Sequence, residues 1–490
     1  MLDSHKIFYR FSAVFIFVLA GFLVIHAWHS GITIDEAASY MMYVNEPWGQ
    51  SWIAFTHTNT LNNHVLNSFA IKIIDLFYPW HEFAMRIPNL VAFLIYSAAV
   101  YFATIRLPSV TLKIFALLVF FSNPFALEYF SLARGYGLAL AFEATALFFA
   151  MKLHIAVRDK KTEFFALFFA GFCFSVQLSI WANFAFVFSS VAIFLVVAFY
   201  YFWQFQSLKE MFVEQIVFNK YLMAFSVLTM LPLFVVPIKM LRARDGDVMT
   251  GNNAGFLESV LGSTFDQWFL FIGYSDWLAI AFTVLTLVVI GASIRRNQYP
   301  IFSIIFLSAL ILIFVVSNLM GTPYPGHRFA LFMFPIVAFV VCEALALVTS
   351  TESQKLWGIG MPLIGGILVF NLVIGISYFF NWQYRVQETR ISDAIESYKY
   401  HLAYAKNVKA NTTPTLCFNK RYDAALFYEW RFKKRPDRIN VLVKKNDGRC
   451  SAHYRCKSVP QNNLDLCWIE NTDGQVIAGV RKLLARGRVK

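Results

Sequence analysis

Charged residues are scarce in this chain. Only 14% of its 490 residues are Asp, Glu, Lys or Arg, whereas 58% are hydrophobic and 18% are aromatic. Soluble globular domains carry about 25% charged residues, so this composition excludes an ordinary soluble protein. Runs such as residues 11–28 and 301–316 instead match the roughly 20 apolar residues that cross a hydrocarbon core of about 30 Å.

Nucleotide-binding and metal-binding motifs are also absent. The chain has no Walker loop, no dinucleotide fingerprint and no metal-ligand spacing of a known kind. The histidines of the predicted outer segments, His57, His64, His81 and His327, therefore favour solvated or packed roles, and a divalent cation stays open as a cofactor. We expect no nucleic-acid partner.

What the sequence does contain is a series of long apolar runs. They predict about eleven membrane helices, because backbone polar groups in lipid must be satisfied within a helix. The first run is longer than the core of a signal peptide and no Ala-x-Ala site closes it, so it is retained as a span. The predicted spans lie near residues 11–28, 87–105, 113–126, 137–152, 164–181, 183–203, 221–238, 277–294, 299–319, 329–348 and 357–380.

Lysine and arginine determine the predicted orientation. With the N-terminus inside, the short inner connections carry the basic residues, which is the positive-inside pattern. These residues are Arg106, Lys113, Lys152, Arg158, Lys160, Lys161, Lys209, Lys220, Arg295, Arg296 and Lys355. An odd number of spans then places the C-terminus outside.

The C-terminal tail differs in charge from the rest of the chain. Residues 381–490 hold 22 Lys and Arg against 10 Asp and Glu, whereas residues 1–380 hold 20 against 19. We therefore predict a transmembrane domain over 1–380 and a basic, water-facing domain over 381–490. Predicted helices at 381–406 and 422–433, with strands near 415–418, 440–444 and 465–470, indicate a small α/β domain.

Cysteine is rare and unevenly placed. Of six residues, Cys417, Cys450, Cys456 and Cys467 lie in the tail. Four cysteines in an exported domain predict two disulfides, with three pairings open, and buried free thiols are the alternative.

The first outer loop, residues 30–85, predicts two helices on the membrane surface. After His64, apolar residues recur at helical spacing while Asn67, Ser68, Lys72 and Asp75 fall between them, which is typical of an interfacial helix. A second, shorter interfacial helix is predicted at residues 48–55, because its two tryptophans are typical of residues at the depth of the lipid headgroups.

Two adjacent acids, Asp35 and Glu36, follow the first span in a stretch that is otherwise apolar or small. Carboxylates at the lip of a membrane helix are costly to desolvate, so we expect raised pKa values and a general base. The alternative is a helix N-cap with an acidic first turn.

Cations are predicted at the same membrane face. Arg86 begins the second span, Arg134 lies in a short outer segment, and His327 with Arg328 opens the tenth span. Arginine can hold a phosphate bidentately, which lysine cannot do. A single boundary arginine is equally typical of snorkelling to headgroups.

At these residues the chain resembles the GT-C superfamily of polyprenyl-phosphate-sugar-dependent glycosyltransferases, in particular the protein-mannosyltransferase and lipid A aminoarabinose-transferase branch. The matching stretches are Asp35-Glu36, Asn63-His64-Val65-Leu66, Arg86-Ile87-Pro88-Asn89, Ala133-Arg134-Gly135-Tyr136 and His327-Arg328. The chain departs from the mannosyltransferase pattern after His64, where Val65-Leu66 replace the prolines common there, and its tail has no counterpart.

The resemblance implies a transfer from an undecaprenyl-phosphate-linked sugar to an envelope glycan, lipopolysaccharide, O-antigen or similar acceptor at the periplasmic face. It implies that Asp35 and Glu36 are catalytic. Cationic residues would bind the donor phosphate, namely Arg86, Arg134, His327 and Arg328. Tyr40, His64 and Tyr136 would line the site. The expected location is the bacterial inner membrane, with a cytoplasmic N-terminus and a periplasmic tail domain.

The chemistry of such a donor favours a single displacement with inversion. A departing phosphate monoester needs no general acid, whereas a retaining mechanism needs two carboxylates about 5 Å apart. Two alternatives remain: an O-antigen polymerase or ligase, and a transporter or flippase of lipid-linked sugar. The transporter hypothesis rests on Glu143 and Glu343 within spans, and on prolines that interrupt helices.

Overall fold

A computed structural model describes most of the hydrophobic part of the chain and the strands of its tail. The described residues are 2–30, 33–44, 64–79, 81–159, 164–218, 220, 224, 228, 255–269, 276–296, 298–321, 323–348, 354–381 and the backbone of strands between 415 and 479. The predicted helices at 48–55, 221–238, 381–406 and 422–433 fall largely or wholly outside these residues.

Helices form nearly all of the described membrane part. In chain order they are α1 (Leu2–His29), α2 (Ile34–Ser39), α3 (Val65–Asp75), α4 (Glu82–Thr104), α5 (Val110–Phe121), α6 (Pro124–Tyr129), α7 (Tyr136–Arg158), α8 (Phe165–Ala182), α9 (Val187–Phe218), α10 (Ser263–Trp268), α11 (Asp276–Arg295), α12 (Ile301–Met320), α13 (Met333–Val348) and α14 (Gln354–Asn381). Short π turns follow α2 and precede α10, and 3₁₀ turns precede α9 and α13.

Seven helices of the described part are long and apolar enough to cross a membrane. They are Lys6–His29, Glu82–Thr104, Tyr136–Arg158, Phe165–Ala182, Phe184–Trp203, Asp276–Arg295 and Ile301–Leu319. The chain is therefore a helical, multi-pass membrane protein, as predicted. Three further predicted spans are apolar but shorter, at Val110–Phe121, Met333–Leu347 and Leu363–Ser377. The total of eleven stays a prediction.

The span predicted at 113–126 is divided for a local reason. α5 ends at Phe121, and Asn123 then accepts a hydrogen bond at 3.0 Å from the backbone N–H of Ala126. Pro124 follows in the first turn, where its missing N–H costs nothing. An N-cap and a proline therefore begin a new helix, α6.

Small residues bring the central helices together. On α7, Ala139, Ala144 and Ala150 are fully buried, and the helix packs between α4 and α8. Without side chains beyond Cβ at these positions, backbones can approach closely, which is how membrane helices gain packing energy in lipid. Phenylalanine fills the remaining space, for example where Phe93 meets Phe121 and Phe130 edge to face.

Helix α3 confirms the amphipathic helix predicted after His64, and the structure shows which of its residues are buried. Its polar residues Asn67, Ser68 and Lys72 are buried against the protein, while Ile73 is 40% exposed and the following Phe77 is 73% exposed. Val65 and Ile71 are buried as well, so the exposed surface of α3 is apolar while its buried face is mixed. The polar side is free to make hydrogen bonds within the protein.

Five strands lie in the tail: β1 (Thr415–Phe418), β2 (Asn440–Leu442), β3 (Ala452–Val459), β4 (Leu464–Asn471) and β5 (Val476–Gly479). They form one sheet in the order β2-β1-β3-β4-β5. β1 runs parallel to β2 and β3, and the other pairs are antiparallel. Strands therefore occur at the three predicted positions, and the predicted α/β domain and its boundary at 381 stay predictions.

Candidate active site

The first turn of α2 is held by a capping box. The backbone N–H of Glu36 donates to the Thr33 hydroxyl at 3.2 Å, and the backbone N–H of Thr33 donates to Glu36 Oε2 at 2.8 Å. This reciprocal pair is the local signal Thr-x-x-Glu, which begins many helices. Of the two interpretations of the acidic pair, the helix cap therefore applies to Glu36. The cap fixes the direction of α2 as the chain leaves α1.

Glu36 also forms a buried ion pair with Arg86. Arg86 Nε donates to Glu36 Oε1 at 2.9 Å and Nη2 donates to Oε2 at 2.8 Å, and both side chains are 0% exposed. Nη1 of Arg86 donates to the carbonyl oxygens of Ala27 and Ser30 at 2.8 and 2.6 Å. Arg86 thus ties the end of α1 to the start of α2, and this enclosure favours a positioning role for both residues.

The pKa of Glu36 is lowered, contrary to the increase expected from sequence. Burial by itself raises this pKa, but the charge and hydrogen bonds of Arg86 act in the opposite direction. Backbone N–H groups of Ala133 and Thr33 add to the lowering, and that of Ala133 lies 2.5 Å from Oε1. The carboxylate is therefore charged and fully hydrogen-bonded.

Asp35 points the other way, into a cluster of two arginines. Its Oδ2 lies 2.7 Å from Arg328 Nη1 and 3.5 Å from Arg134 Nη2. The Asp35 side chain is 42% exposed and Arg328 is 39% exposed, whereas Arg134 is 3% exposed. Segments that are far apart in sequence therefore converge on one accessible carboxylate.

The same arginines set the ionisation of Asp35. The positive charge of Arg134 lowers its pKa most, burial acts against this, and the charge and hydrogen bond of Arg328 lower it further. The expected increase is wrong here too, because the sequence could not show that cations from residues 134 and 328 lie within contact distance. Asp35 is ionised at neutral pH.

Arg134 is held in place by an asparagine ladder. Nδ2 of Asn67 donates to the Ala133 carbonyl at 3.1 Å, and its Oδ1 accepts from Asn89 Nδ2 at 2.8 Å. Oδ1 of Asn89 in turn accepts the backbone N–H of Leu138 at 3.1 Å. α3 and α4 thereby clamp the segment from Ala133 to Leu138 on both sides of Arg134.

Two glycines in that segment allow the clamp to close. A Cβ at Gly137 would lie 2.7 Å from Asn89 Oδ1, and a Cβ at Gly135 would lie 2.7 Å from the Cβ of His64 and collide with the Ala182 carbonyl. Contacts this short do not occur between real side chains, so both positions require glycine for close packing. The Gly135-Tyr136-Gly137 sequence is therefore a packing requirement.

His64 is buried beside the cluster. It is 4% exposed, and neither ring nitrogen has a hydrogen-bond partner among the described residues. Its ring meets Tyr136 edge to face at 5.5 Å between centroids. Burial lowers its pKa well below the usual range, Arg134 and Arg328 lower it further, and Asp35 acts against them. His64 is therefore neutral at pH 7.

The remaining predicted site residues lie at the edges of the cluster. Tyr40 is 1% exposed and its hydroxyl donates to Asp75 Oδ1 at 2.7 Å, so it joins α2 to α3. His327 is exposed and has a positive φ of 51°, which is uncommon for a residue other than glycine. This conformation begins the 3₁₀ turn that presents Arg328 to Asp35.

Several residues that build the site were not predicted to do so. Thr33 carries a readable signal, because Thr-x-x-Glu is a capping pattern. Asn67 carries no such signal beyond polarity at a helical position, and Asn89 was marked only by its place in the stretch Arg86-Ile87-Pro88-Asn89. Glu128 is 4% exposed and lies near Glu36, and burial and that negative charge raise its pKa to about 8. Among the described residues, no three or more His, Cys, Asp or Glu side chains are grouped to hold a metal ion.

No protein-family model matches the sequence. No curated protein matches it either.

Proposed function

We propose that this chain is a polyprenyl-phosphate-sugar-dependent glycosyltransferase that acts at the non-cytoplasmic face of a bacterial inner membrane. The observation that carries the proposal is the accessible Asp35 carboxylate between Arg134 and Arg328. A transferase using such a donor needs a carboxylate for the acceptor hydroxyl and cations where phosphate charge develops. The cluster contains the carboxylate and the cations, because Asp35 Oδ2 lies 2.7 Å from Arg328 and 3.5 Å from Arg134.

The two arginines are assigned to the donor phosphate. Arg328 is half-exposed and Arg134 is fixed by its bonds to the Asp35 carbonyl and the Ser39 hydroxyl, at 3.2 and 3.3 Å. A guanidinium has five N–H donors, so each arginine can contact phosphate oxygens as well as Asp35. Glu36 and Arg86 are assigned to positioning, in place of the catalytic and phosphate-binding roles that the resemblance implied.

Donor binding would also change the basicity of Asp35. A carboxylate held by two cations is a weak proton acceptor, because its pKa is lowered. When the negative charge of a donor phosphate lies against these guanidinium groups, it offsets their effect, and the pKa of Asp35 rises toward its ordinary value. The acceptor hydroxyl is then oriented and deprotonated only after the donor is in place. His64, buried and neutral, is assigned to lining the sugar or acceptor position.

Only one of the adjacent acids faces the cluster, which supports a single displacement. Both oxygens of Glu36 accept bonds from Arg86 and from backbone N–H groups. A retaining mechanism requires a second carboxylate about 5 Å from the first. We therefore propose attack by the acceptor oxygen at the anomeric carbon with inversion, and departure of polyprenyl phosphate as an anion.

The transporter alternative receives less support. Glu343, one of its two candidate residues, accepts hydrogen bonds from the N–H groups of Phe302 and Ser303 at 3.2 and 2.9 Å and from the Ser303 hydroxyl at 2.6 Å. It therefore caps the start of α12, near one end of the bundle. A group bound in this way fits a packing role better than a proton relay.

The tail is proposed to be a periplasmic α/β domain that binds an anionic acceptor or solubilises the enzyme near anionic headgroups. Its sheet places positions 456 and 467 directly opposite each other on β3 and β4. Such neighbours have Cα atoms about 4.5–5.5 Å apart, within the range of a disulfide. Of the three pairings, we propose Cys456 with Cys467, leaving Cys417 with Cys450, and peptide mapping under non-reducing conditions tests this.

The test of function compares purified variants in proteoliposomes, with envelope glycans and polyprenyl lipids from cells analysed by mass spectrometry. Asp35→Asn is expected to lower transfer about 10²–10⁴-fold, the usual effect of removing a positioned base. Arg328→Ala is expected to weaken use of the donor, with only partial rescue by Arg328→Lys. Asp159→Asn, an exposed acid at the far end of α7, is the matched control.

In cells, loss of the protein should remove one sugar from an envelope glycan while its polyprenyl-linked donor accumulates. Unchanged glycans and lipids in its absence would refute the proposal. Wild-type turnover in Asp35→Asn would refute the assignment of the base. Wild-type donor use in Arg328→Ala would mean that this arginine only contacts headgroups.

A further inference from the structure

A cavity lies at the end of the helical bundle opposite the Asp35 cluster. Its volume is about 670 Å³, and the ends of α4, α7, α11 and α13, the start of α12 and part of α9 form its wall. This volume is within the range of small-molecule sites, about 300–1,000 Å³. None of its lining residues belongs to the Asp35 cluster.

The cavity and the Asp35 cluster are separated by the length of a membrane span. Arg86 is in the second turn of α4 and Tyr136 begins α7, whereas Arg106 follows the end of α4 and Arg158 ends α7. Each of these helices has 23 residues, which corresponds to about 35 Å at 1.5 Å per residue. The cavity therefore faces the opposite leaflet.

Two arginines stand at the rim of this cavity. Arg106 is exposed, and Arg158 is 61% exposed and pairs with Asp159 at 2.9 Å. An exposed pair of this kind is weak, so Arg158 can exchange Asp159 for another anion at little cost. Arginine is the side chain best suited to hold phosphate oxygens, because its donors form a planar fork.

Inside the rim, the wall combines aromatic rings with hydrogen-bonding groups. The rings of Tyr200 and Tyr299 lie 4.5 Å apart, and His154 lies 5.2 Å from Tyr200. Nδ1 of His154 is buried and has no hydrogen-bond partner among the described residues. This nitrogen is not accessible from the cavity, so the imidazole and phenol rings themselves form the wall that a ligand meets.

The carboxylate that lines the cavity, Glu343, is compensated and does not prevent an anion from binding. Its oxygens accept the N–H groups at the start of α12 and the Ser303 hydroxyl. A carboxylate at a helix N-terminus is compensated by the partial positive charge there. Among the lining residues, Arg106 and Arg158 are therefore the charged side chains left to meet a ligand.

We propose that this cavity binds the phosphate headgroup of a lipid in the leaflet opposite the Asp35 cluster. The cavity lies at the ends of the spans, which is the depth of the lipid headgroups, where tyrosine rings are typical. Arg106 and Arg158 hold the phosphate, and His154 with the tyrosines contacts the polar atoms beneath it. Phe302 and Phe339 offer apolar wall to the glycerol or acyl carbons. This site is independent of the proposed transfer reaction.

The experiment measures lipid binding to the full-length protein in detergent by native mass spectrometry. The probes are phosphatidic acid, diacylglycerol with the same acyl chains, and inorganic phosphate. The variants are Arg106→Ala with Arg158→Ala, and Ala346→Trp, which fills the cavity without changing its charge. Arg10→Ala, an exposed arginine on α1 outside the cavity, is the control.

We expect phosphatidic acid to bind the wild type and Arg10→Ala equally. It should bind the double variant about 10²-fold more weakly, since each of the two lost charged hydrogen-bonded contacts is worth about tenfold. It should also bind Ala346→Trp more weakly, because the indole occupies part of the cavity. Diacylglycerol should bind weakly throughout. Equal binding by the double variant, equal binding of diacylglycerol, or displacement of the lipid by an equal concentration of inorganic phosphate would overturn the proposal. Size-exclusion profiles identify variants that fail to fold.

Discussion

At the scale of single residues, Asp35 and Glu36 are neighbours with opposite surroundings. Glu36 is buried and accepts two hydrogen bonds from Arg86, whereas Asp35 is partly exposed and lies against two arginines. The distinction arises because one turn of helix directs adjacent side chains about 100° apart. A substitution at each position should therefore affect a different property of the protein.

Glu36→Gln is expected to destabilise the fold by about 3–5 kcal/mol, because it leaves Arg86 charged and buried without its partner. Thermal unfolding in detergent measures this effect, and Asp159→Asn is the control, with a loss within about 1 kcal/mol for an exposed pair. Since the pKa of Glu36 is lowered by folding, its contribution is present above pH about 4.5 and is lost as pH falls through the folded value. Equal melting temperatures for the two amides would contradict this role.

Glu128→Gln is expected to stabilise the protein, increasingly so as pH rises. The pKa of Glu128 is raised to about 8, so between its usual value of 4.5 and 8 the folded state keeps a proton that the unfolded state releases. Stability of the wild type therefore falls across this window, and the amide removes the loss. Melting temperatures at pH 5 and pH 9 test the sign, with exposed Glu258→Gln as control. A constant difference between wild type and Glu128→Gln would exclude a raised pKa.

At the scale of elements, the site depends on how α3 and α4 hold the segment before α7. Gly135→Ala places a methyl group against His64 and the Ala182 carbonyl, so the segment must shift and move Arg134 from Asp35. Transfer activity should fall at least tenfold, because misplacement by about 1 Å can cost 10²-fold. Gly291→Ala on α11, where a Cβ meets no atom within 4 Å, should leave activity unchanged. Wild-type transfer by Gly135→Ala would mean that this packing is not required.

The sequence predicts elements better than it predicts contacts. The apolar runs locate the spans, and the apolar spacing after His64 predicts the helix α3, because both follow from hydrophobicity alone. The partner of Arg86 could not be predicted, since a buried arginine and a phosphate-binding arginine look the same in one sequence. The lowered pKa values of Asp35 and Glu36 depend on residues up to 293 positions away, which no local pattern reveals.

At the scale of the whole molecule, the two polar sites lie at opposite ends of the bundle, so membrane orientation decides which compartment each one faces. A reporter fused after residue 490 is expected to be active only outside the cytoplasm, and one inserted at 158–161 only inside, following the positive-inside pattern. Fusion near residue 106 is the control, because that connection should behave like 158–161. A cytoplasmic C-terminus would contradict the eleven-span topology and the disulfide proposal.

The contact between Asp35 and Arg328 also sets an order of events during synthesis. The two residues are 293 positions apart, and chains grow at about 5–20 residues per second, so Asp35 enters the membrane roughly 15–60 s before its cation. Until then a nascent chain has the carboxylate but an incomplete cluster. The ability to bind a charged donor should therefore appear late in biogenesis, after the segment before α13 has been synthesised and inserted.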